Sequence, residues 1–314
     1  MTYTPRPGGV GRIGEFEVAR VGYGAMQLDP DSTSTEAAVA LLRRAVALGV
    51  NHIDTASFYA FGEVDRRIRQ ALAPYRDDLV IVSKVGARSA TGQIPLEAAQ
   101  KPAELRAAVE EDLTELGLDR VPVVNLRRLD LGPGLKAERD QLVHLDDQLA
   151  ELIALRDEGK IGAIGISSVP LDVVQRALPA GIVCVQNSYG LLNRSQEDVL
   201  ELCVAEDIAW VPYFPLGSSF PGFPKVGDNP VVQSVATEIG ATPSQVGLAW
   251  LLAHAPNALL IAGTRSIAHL EENMGAGDVV LDADAMARLD AVYDAATDPL
   301  ADADGVEAFF DEVR

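Results

Sequence analysis

Three ionisable side chains within residues 51–86 have the types and the spacing that proton transfer needs. Asp54 ends a short apolar run, Tyr59 lies in the loop that follows it, and Lys84 ends the next apolar run. A cation beside a phenol favours the phenolate, so a phenol with an ordinary pKa of about 10 can exchange a proton nearer neutral pH. The same spacing also fits a buried Asp–Lys ion pair with a hydrogen-bonded tyrosine and no chemistry.

Alternation along the strand-like runs indicates which side chains share a face with these groups. The predicted inward face consists of His52, Asp54, Val80, Val82, Lys84, Val121, Val123, Asn125 and Arg127. On this pattern Asp54, Lys84 and Arg127 lie near one mouth of the fold, with Tyr59 entering from its loop. His52 is one layer deeper, and we expect it to be a core residue with satisfied hydrogen bonds.

Eight strand-like runs alternate with eight helix-like runs, which predicts one closed (β/α)8 barrel domain over residues 1–314. The strand-like runs are 20–25, 50–54, 79–84, 121–127, 161–166, 182–187, 208–213 and 258–262. The helix-like runs are 34–48, 62–73, 102–116, 145–159, 170–178, 194–207, 229–254 with a break near Thr242-Pro243, and 266–275. An open, doubly wound sheet is the alternative, and it would carry GxGxxG after its first strand. Gly22 and Gly24 give only GYGAMQ, so the barrel is favoured.

Additional segments flank and interrupt this pattern. Residues 7–20 predict a small hairpin before the main fold, and 283–295 predict a last helix. The connections 128–144 and 214–228 follow the fourth and seventh strands and are long enough to be functional loops. The tail 296–314, which carries Phe309 and Phe310, either folds over the mouth or frays.

Composition restricts the classes of protein to which the chain can belong. Its 314 residues are 48% hydrophobic, which argues against disorder. A formal net charge of -20 argues against nucleic-acid and anionic-membrane partners. No apolar stretch approaches the roughly 18 residues of a membrane span, and the first residues show no signal peptide. Cys184 and Cys203 lack metal-ligand spacing and are expected to be buried free thiols. We therefore expect a cytoplasmic protein without a metal; the sequence does not specify an oligomeric state.

Seven short motifs occur in an order that resembles the aldo-keto reductases. They are VGYGAMQL, HIDTASFY, VIVSKVG, GKIGAIGISS, VQNSYGLLNR, VPYFPLG and AGTRSIAHLEEN, and the resemblance covers roughly residues 12–295. It implies a (β/α)8 barrel that uses NAD(P)H without a Rossmann domain to reduce a carbonyl group to an alcohol. By this resemblance Tyr59 is the proton donor, Lys84 assists it by favouring the phenolate, and Asp54 holds Lys84.

One position departs from the family pattern. The family usually has histidine at the end of the fourth strand, in a context like LIHWPD, whereas this chain has VNLRRLD with Arg127 in that place. None of His52, His144, His254 and His269 can replace it. Arginine can donate hydrogen bonds to a substrate oxygen but cannot relay a proton. The VNLR version resembles a branch that includes bacterial pyridoxal reductases, so pyridoxal or another small aromatic aldehyde is a candidate substrate.

The resemblance also implies where a cofactor would lie. Tyr213 matches the ring that stacks on the nicotinamide, while Gln186 and Ser167 match the partners of its carboxamide. Thr264, Arg265 and Ser266, helped by His269, match a 2′-phosphate site, so NADPH is expected rather than NADH. The other expected cofactor residues are Gly24, Ala25, Met26, Asp54, Ser168, Phe214, Pro215, Leu216, Gly217, Ser218, Gly263, Glu272 and Asn273.

Two other functions compete with a carbonyl reductase. An NADPH-binding sensor or regulatory subunit would keep the barrel with little turnover, and Arg127 leaves that possibility open. A barrel lyase or isomerase without a nicotinamide would leave Tyr213 and the segment 262–273 unexplained.

Overall fold

The computed structural model describes residues 5–91, 96–131, 135–217, 223–295 and 298. In chain order the strands are β1 (Val10–Ile13), β2 (Phe16–Ala19), β3 (Tyr23–Gly24), β4 (His52–Asp54), β5 (Val80–Val85), β6 (Ala87–Ser89), β7 (Leu96–Ala98), β8 (Val121–Arg127), β9 (Ile161–Ser167), β10 (Ile182–Gln186) and β11 (Ala209–Trp210). Seven of them form a curled parallel sheet in the order β11-β10-β9-β8-β5-β4-β3. Helices between successive parallel strands make this an α/β barrel-like fold.

The two edges of this sheet are bridged by one segment. Ala258 pairs in parallel with Trp210 of β11, and Leu260 pairs in parallel with Val21 just before β3. The Leu260 amide donates to the Arg20 carbonyl at 2.7 Å, and the Gly22 amide donates to the Leu260 carbonyl at 2.8 Å. The predicted strand 258–262 is therefore present only as isolated bridges, because it pairs with each edge over one residue rather than along a ladder.

The helices are α1 (Thr35–Ala47), α2 (Glu63–Leu72), α3 (Pro102–Leu116), α4 (Leu145–Asp157), α5 (Leu171–Ala177), α6 (Glu197–Ala205), α7 (Pro230–Ile239), α8 (Pro243–His254), α9 (Ile267–Met274) and α10 (Ala283–Asp290). Local sequence sets several of their ends. Ser34 caps α1, and Gly117 ends α3 in a left-handed conformation. The predicted break near Thr242 is confirmed, since Thr242 and Gln245 form a capping box that starts α8.

Two apolar layers result from the alternation along the strands. Side chains such as Ile53, Ile81 and Val124 pack outward against the helices. The opposite faces fill the interior, where Val82 and Val123 share a cluster with side chains of the β1–β2 hairpin. The predicted hairpin within 7–20 is thus confirmed, and its apolar side chains join the interior core.

Other connections differ from the expectations. β6 and β7 form an antiparallel hairpin after β5 that the sequence pattern did not indicate. The predicted helix 283–295 ends at Asp290, and the two long loops each contain a short 3-10 turn, Arg139–Gln141 and Val226–Asp228. Of the tail 296–314 the structure describes only Asp298, so closure over the mouth and fraying both stay predictions. No helix within the described ranges is long and apolar enough to cross a membrane.

Candidate active site

The Lys84 ammonium is the centre of the candidate site. Its Nζ donates to Asp54 Oδ1 at 2.5 Å, to the Thr55 carbonyl at 2.7 Å and to the Tyr59 hydroxyl at 3.2 Å. These contacts use all three donors of an ammonium group. The predicted cluster of Asp54, Tyr59 and Lys84 is thereby brought together at the carboxyl ends of β4 and β5.

Charge pairing keeps this lysine protonated in a buried position. Only 3% of Asp54 and 5% of Lys84 are exposed. Burial alone would lower the pKa of Lys84, but the Asp54 charge, the Tyr59 group and the hydrogen bonds to both outweigh it, so the pKa stands above its ordinary value. The site therefore presents a fixed positive charge to the Tyr59 oxygen.

The β6 strand holds the loop that carries Tyr59. Ala60 and Phe61 take left-handed conformations at the end of this loop, which non-glycine residues rarely adopt. The Ser89 hydroxyl donates to the Phe58 carbonyl at 2.8 Å and accepts from the Phe61 amide at 3.1 Å. Ser89 thus connects the hairpin to both sides of Tyr59, which is a positioning contact that sequence reasoning missed.

Arg127 ends β8 beside the cluster, as predicted. Its guanidinium lies 5.8 Å from the centre of the Phe58 ring, and its carbonyl accepts from Gln100 at 2.7 Å. Among the described residues its half-buried guanidinium has no ion pair or hydrogen bond, so its N–H donors remain available. The neighbouring Arg128 pairs instead with Asp130 at 2.7 Å.

The expectation for His52 was wrong in one respect. Its ring is fully buried below Asp54, but neither ring nitrogen has a hydrogen-bond partner within the described residues. Burial lowers the pKa of His52 to about 4, so the ring is neutral near pH 7. A Cβ at Gly22 would come within 2.9 Å of this ring, which is why β3 approaches it through a glycine. Packing rather than hydrogen bonding therefore holds His52.

Gln186 connects the acid of the cluster to the groups predicted to hold a carboxamide. Its Nε2 donates to Asp54 Oδ2 at 2.8 Å, whereas its buried Oε1 has no donor among the described residues. Ser168 Oγ lies 3.5 Å from Ser167 Oγ and 3.3 Å from the Tyr213 hydroxyl. These groups therefore lie together at the carboxyl ends of β9 and β10.

The expected residues near β3 pack against the eighth unit. Gly24 and Gly263 approach each other closely: a Cβ at Gly24 would come within 2.4 Å of the Ile261 carbonyl. The Tyr23 hydroxyl donates to the Thr264 carbonyl at 2.7 Å. The Ala25 amide donates to the Asp54 carbonyl, and Met26 is half exposed.

The loop after β11 supplies further expected cofactor residues. Phe214 has a left-handed backbone, and Gly217, with φ of 93°, accepts no side chain because a Cβ would meet the Pro224 carbonyl at 2.3 Å. The Gly217 amide donates to the Phe214 carbonyl, and the Val226 amide donates to the Leu216 carbonyl. Pro215 is buried in the same turn, and Ser218 lies outside the described residues.

Residues 264–273 form the start of α9 and its first turns. The Ser266 side chain accepts from the His269 amide, so Ser266 already caps the helix, and Thr264 Oγ1 accepts from the Ser266 amide. Arg265 is exposed and has no side-chain partner in the described part of the chain. The remaining predicted residues here are an exposed His269, a Glu272 that accepts from Thr242 at 2.5 Å, and a buried Asn273.

Sequence reasoning also missed Thr55, Asp65 and Asp112. Thr55 contributes its carbonyl to Lys84, and its hydroxyl donates to Asp65 Oδ1 at 2.5 Å. Asp65 and Asp112 are fully buried in the apolar stripes of α2 and α3. A carboxylate at such a stripe position was the available signal, because charged residues are almost never fully buried without a partner.

A comparison with protein-family models agrees with this geometry. The model described as the aldo/keto reductase family matches residues 20–294. This chain belongs to the aldo/keto reductase family.

Relatives cover nearly the whole of this aldo/keto reductase. It is 42% identical over 286 residues to pyridoxine 4-dehydrogenase of Escherichia coli strain K12, covering 89% of this chain and 96% of that protein. It is 33% identical to the oxidoreductase C215.11c of Schizosaccharomyces pombe, covering 90% of this chain and 89% of that protein. The crystal structure of an aldo-keto reductase from Klebsiella pneumoniae in complex with NADPH is 26% identical, with a TM-score of 0.76 over 90% of this chain and 94% of that one.

Proposed function

We propose that this protein is an NADPH-dependent reductase that converts an aldehyde or a ketone to an alcohol. The observation that carries the proposal is the Tyr59 hydroxyl, 3.2 Å from an ammonium that Asp54 holds at 2.5 Å. A phenol beside a fixed cation has a stabilised conjugate base, so it can give a proton to a substrate oxygen and later regain one. The membership in an oxidoreductase family supports the same chemistry.

Each member of the cluster then has a distinct role. Tyr59 donates its hydroxyl proton to the carbonyl oxygen as negative charge develops there. Lys84 stabilises the phenolate that remains, and Asp54 keeps Lys84 charged and in place. NADPH, when bound, supplies the hydride that the carbonyl carbon accepts. No metal is needed for these roles, and the described residues contain no cluster of ligands that could hold one.

The residues around the cluster fit a nicotinamide cofactor. Gln186 Oε1 is a buried acceptor without a donor among the described residues, and an amide N–H is its natural complement. Ser167 and Ser168 would complete that polar contact, and Tyr213 would offer a ring face. Arg265, without a side-chain partner in the described ranges, would bind a phosphate. These contacts favour NADPH over NADH.

Arg127 would bind the substrate oxygen. Its donors have no partner among the described residues, and two cations, Lys84 and Arg127, then stand near one carboxylate, Asp54. Such a site favours electron-poor or anionic carbonyl compounds. The 42% identity to a pyridoxine 4-dehydrogenase supports pyridoxal as the substrate, with pyridoxine as its alcohol product.

The bridged sheet is best explained as a closed barrel in a single domain. Residues 258–260 hydrogen-bond to both edges, so they take the place of an eighth strand. Closure brings the carboxyl ends of all strands to one mouth, where barrel active sites lie.

Loss of NADPH absorbance upon addition of pyridoxal tests this function. We expect turnover of pyridoxal and none of 4-deoxypyridoxine, which has the same ring without the carbonyl group. In the reverse direction, pyridoxine should reduce NADP⁺. Binding of NADPH, measured by a change in its fluorescence, without turnover of pyridoxal or of a nitrobenzaldehyde would favour a sensor or regulatory subunit instead.

A further inference from the structure

A chain of hydrogen bonds connects the helices α2 and α3 to the Lys84 ammonium. Thr55 is its middle member, because its hydroxyl donates to Asp65 at 2.5 Å and its carbonyl accepts from Lys84 at 2.7 Å. The Thr55 amide donates to the Val82 carbonyl at 2.8 Å, so the residue is also attached to β5. Thr55 is fully buried.

The orientation of the Lys84 ammonium depends on this chain of hydrogen bonds. Its three donors go to Asp54, Thr55 and Tyr59, so a displaced Thr55 carbonyl would free one donor and let the ammonium rotate away from the phenol. A displacement of about 1 Å at a catalytic group can reduce the rate of a reaction by roughly a hundredfold. A group that holds Thr55 in place therefore also affects the position of Lys84 relative to the proton donor, Tyr59.

Asp65 fixes Thr55, and Asp112 in turn faces Asp65 across the contact of α2 and α3. We call Asp65 and Asp112 the acid pair. Both are fully buried, and neither oxygen of Asp112 nor Oδ2 of Asp65 has a hydrogen-bond partner among the described residues. Two carboxyl groups can satisfy each other only when they share a proton.

The Thr55 hydroxyl stabilises the charged form of Asp65, whereas no hydrogen bond from the described residues stabilises that of Asp112, so the shared proton is favoured on Asp112. Burial raises the pKa of Asp112 well above its usual range, and the facing Asp65 and Glu111 raise it further, against the nearby Ser83 hydroxyl. Burial also raises the pKa of Asp65, to about 6, but there the Thr55 hydroxyl, the Asp112 group and the Lys84 charge oppose it, while Glu115 adds to it. Asp65 thus accepts from Thr55, and Asp112 is the acid of the pair that would donate a proton to it.

We propose that the acid pair positions the proton donor of the reaction, with Asp112 anchoring Asp65 and Asp65 holding Thr55 against Lys84. The proposal rests on the proposed reductase function. Neither acid is hydrogen-bonded to Lys84 or Tyr59, so both act through Thr55 and Lys84 as positioning residues.

Substitutions of Thr55 test the middle member of the chain of hydrogen bonds. Thr55→Val removes only the hydroxyl, and we expect kcat to fall by roughly tenfold or more, with the KM for pyridoxal and the Kd for NADPH within about threefold. Thr55→Ser keeps the hydroxyl and should restore most of kcat. A loss of packing alone would lower the melting temperature of both variants without separating their kcat values.

Substitutions of Asp112 test the anchor. Asp112→Asn keeps an N–H donor toward Asp65, whereas Asp112→Leu of similar volume removes it, so kcat should fall by roughly tenfold only in the leucine variant. Glu110→Gln is the matched control: it removes an exposed carboxylate of α3 that pairs with Lys160 and is outside the chain of hydrogen bonds, so its kcat should equal that of the wild type.

The outcomes separate this inference from the function on which it rests. If the wild type reduces pyridoxal and folded Thr55→Val and Asp112→Leu do so equally fast, the acid pair has no positioning role. If Asp112→Leu does not fold, the comparison of kcat between Thr55→Val and Thr55→Ser decides whether the acid pair has a positioning role. A wild type without turnover refutes the proposed function, whatever the variants show.

Discussion

Nζ of Lys84 lies 2.5 Å from Oδ1 of Asp54, and both side chains are almost completely buried. A buried ion pair of this kind is weak evidence for stability, because desolvation offsets most of its attraction. Here the pair has an open side, where Lys84 contacts a half-buried phenol. The proposed proton transfer requires such an open side.

Removal of the Tyr59 hydroxyl should therefore abolish turnover. For Tyr59→Phe we expect kcat with pyridoxal to fall by about 10²- to 10⁴-fold, because a positioned general acid contributes a factor of that size. The Kd for NADPH should stay within about twofold, since the phenyl ring remains. Steady-state absorbance and a fluorescence titration measure the two quantities. Undiminished turnover would remove Tyr59 from its assigned role.

The candidate cluster was predictable because its residues lie at or near the ends of neighbouring strands. Alternation with a period of two placed Asp54, Lys84 and Arg127 on one face, and the structure agrees. The contact of Thr55 with Asp65 of α2, and of Asp65 with Asp112 of α3, was not predictable in this way. Asp65 and Asp112 are 47 positions apart, and only the packing of α2 on α3 brings them together.

The eighth strand shows a different limit of sequence reasoning. An apolar run such as 258–262 indicates a buried segment, but the number of paired residues depends on the register with both neighbours. The pairing here is limited to Ala258 on one side and Leu260 on the other. His52 shows a third limit, because an inward position does not reveal whether the cavity contains a hydrogen-bond partner.

Replacement of Arg127 should change the pH dependence of the reaction. Arg127→His keeps a donor near the substrate oxygen, and its charge is lost as the pH rises through about 6.5, the ordinary pKa of histidine. We expect the activity of Arg127→His, divided by that of the wild type at the same pH, to fall with rising pH in that range. Arg127→Met, which has no donor, should be slow at every pH. A flat profile for Arg127→His would contradict the assigned role of the guanidinium.

Replacement of Arg265 should reduce the preference for NADPH. An arginine that binds a phosphate contributes charged hydrogen bonds worth about 1.5–3 kcal/mol, so Arg265→Gln should raise the Kd for NADPH by roughly tenfold or more. The Kd for NADH should not change, because NADH lacks the 2′-phosphate. Arg12→Gln serves as the control, since it removes one positive charge from the exposed side of the β1–β2 hairpin. Equal losses for both cofactors would place Arg265 elsewhere in the site.

Replacement of His52 should make the fold more resistant to acid. Burial lowers the pKa of His52 from 6.5 to about 4, so the folded state binds this proton less readily than the unfolded chain does. The stability that the neutral ring contributes is fully present above pH 6.5 and is lost as the pH falls toward 4. At about 1.4 kcal/mol for each pKa unit, the free energy of unfolding should fall by about 3 kcal/mol more in the wild type than in His52→Leu between pH 7 and pH 4. Urea unfolding at a series of pH values measures this difference, and the titration of the acid pair cancels because both proteins contain it. Parallel curves for the two proteins would show that His52 is not held neutral in the folded state.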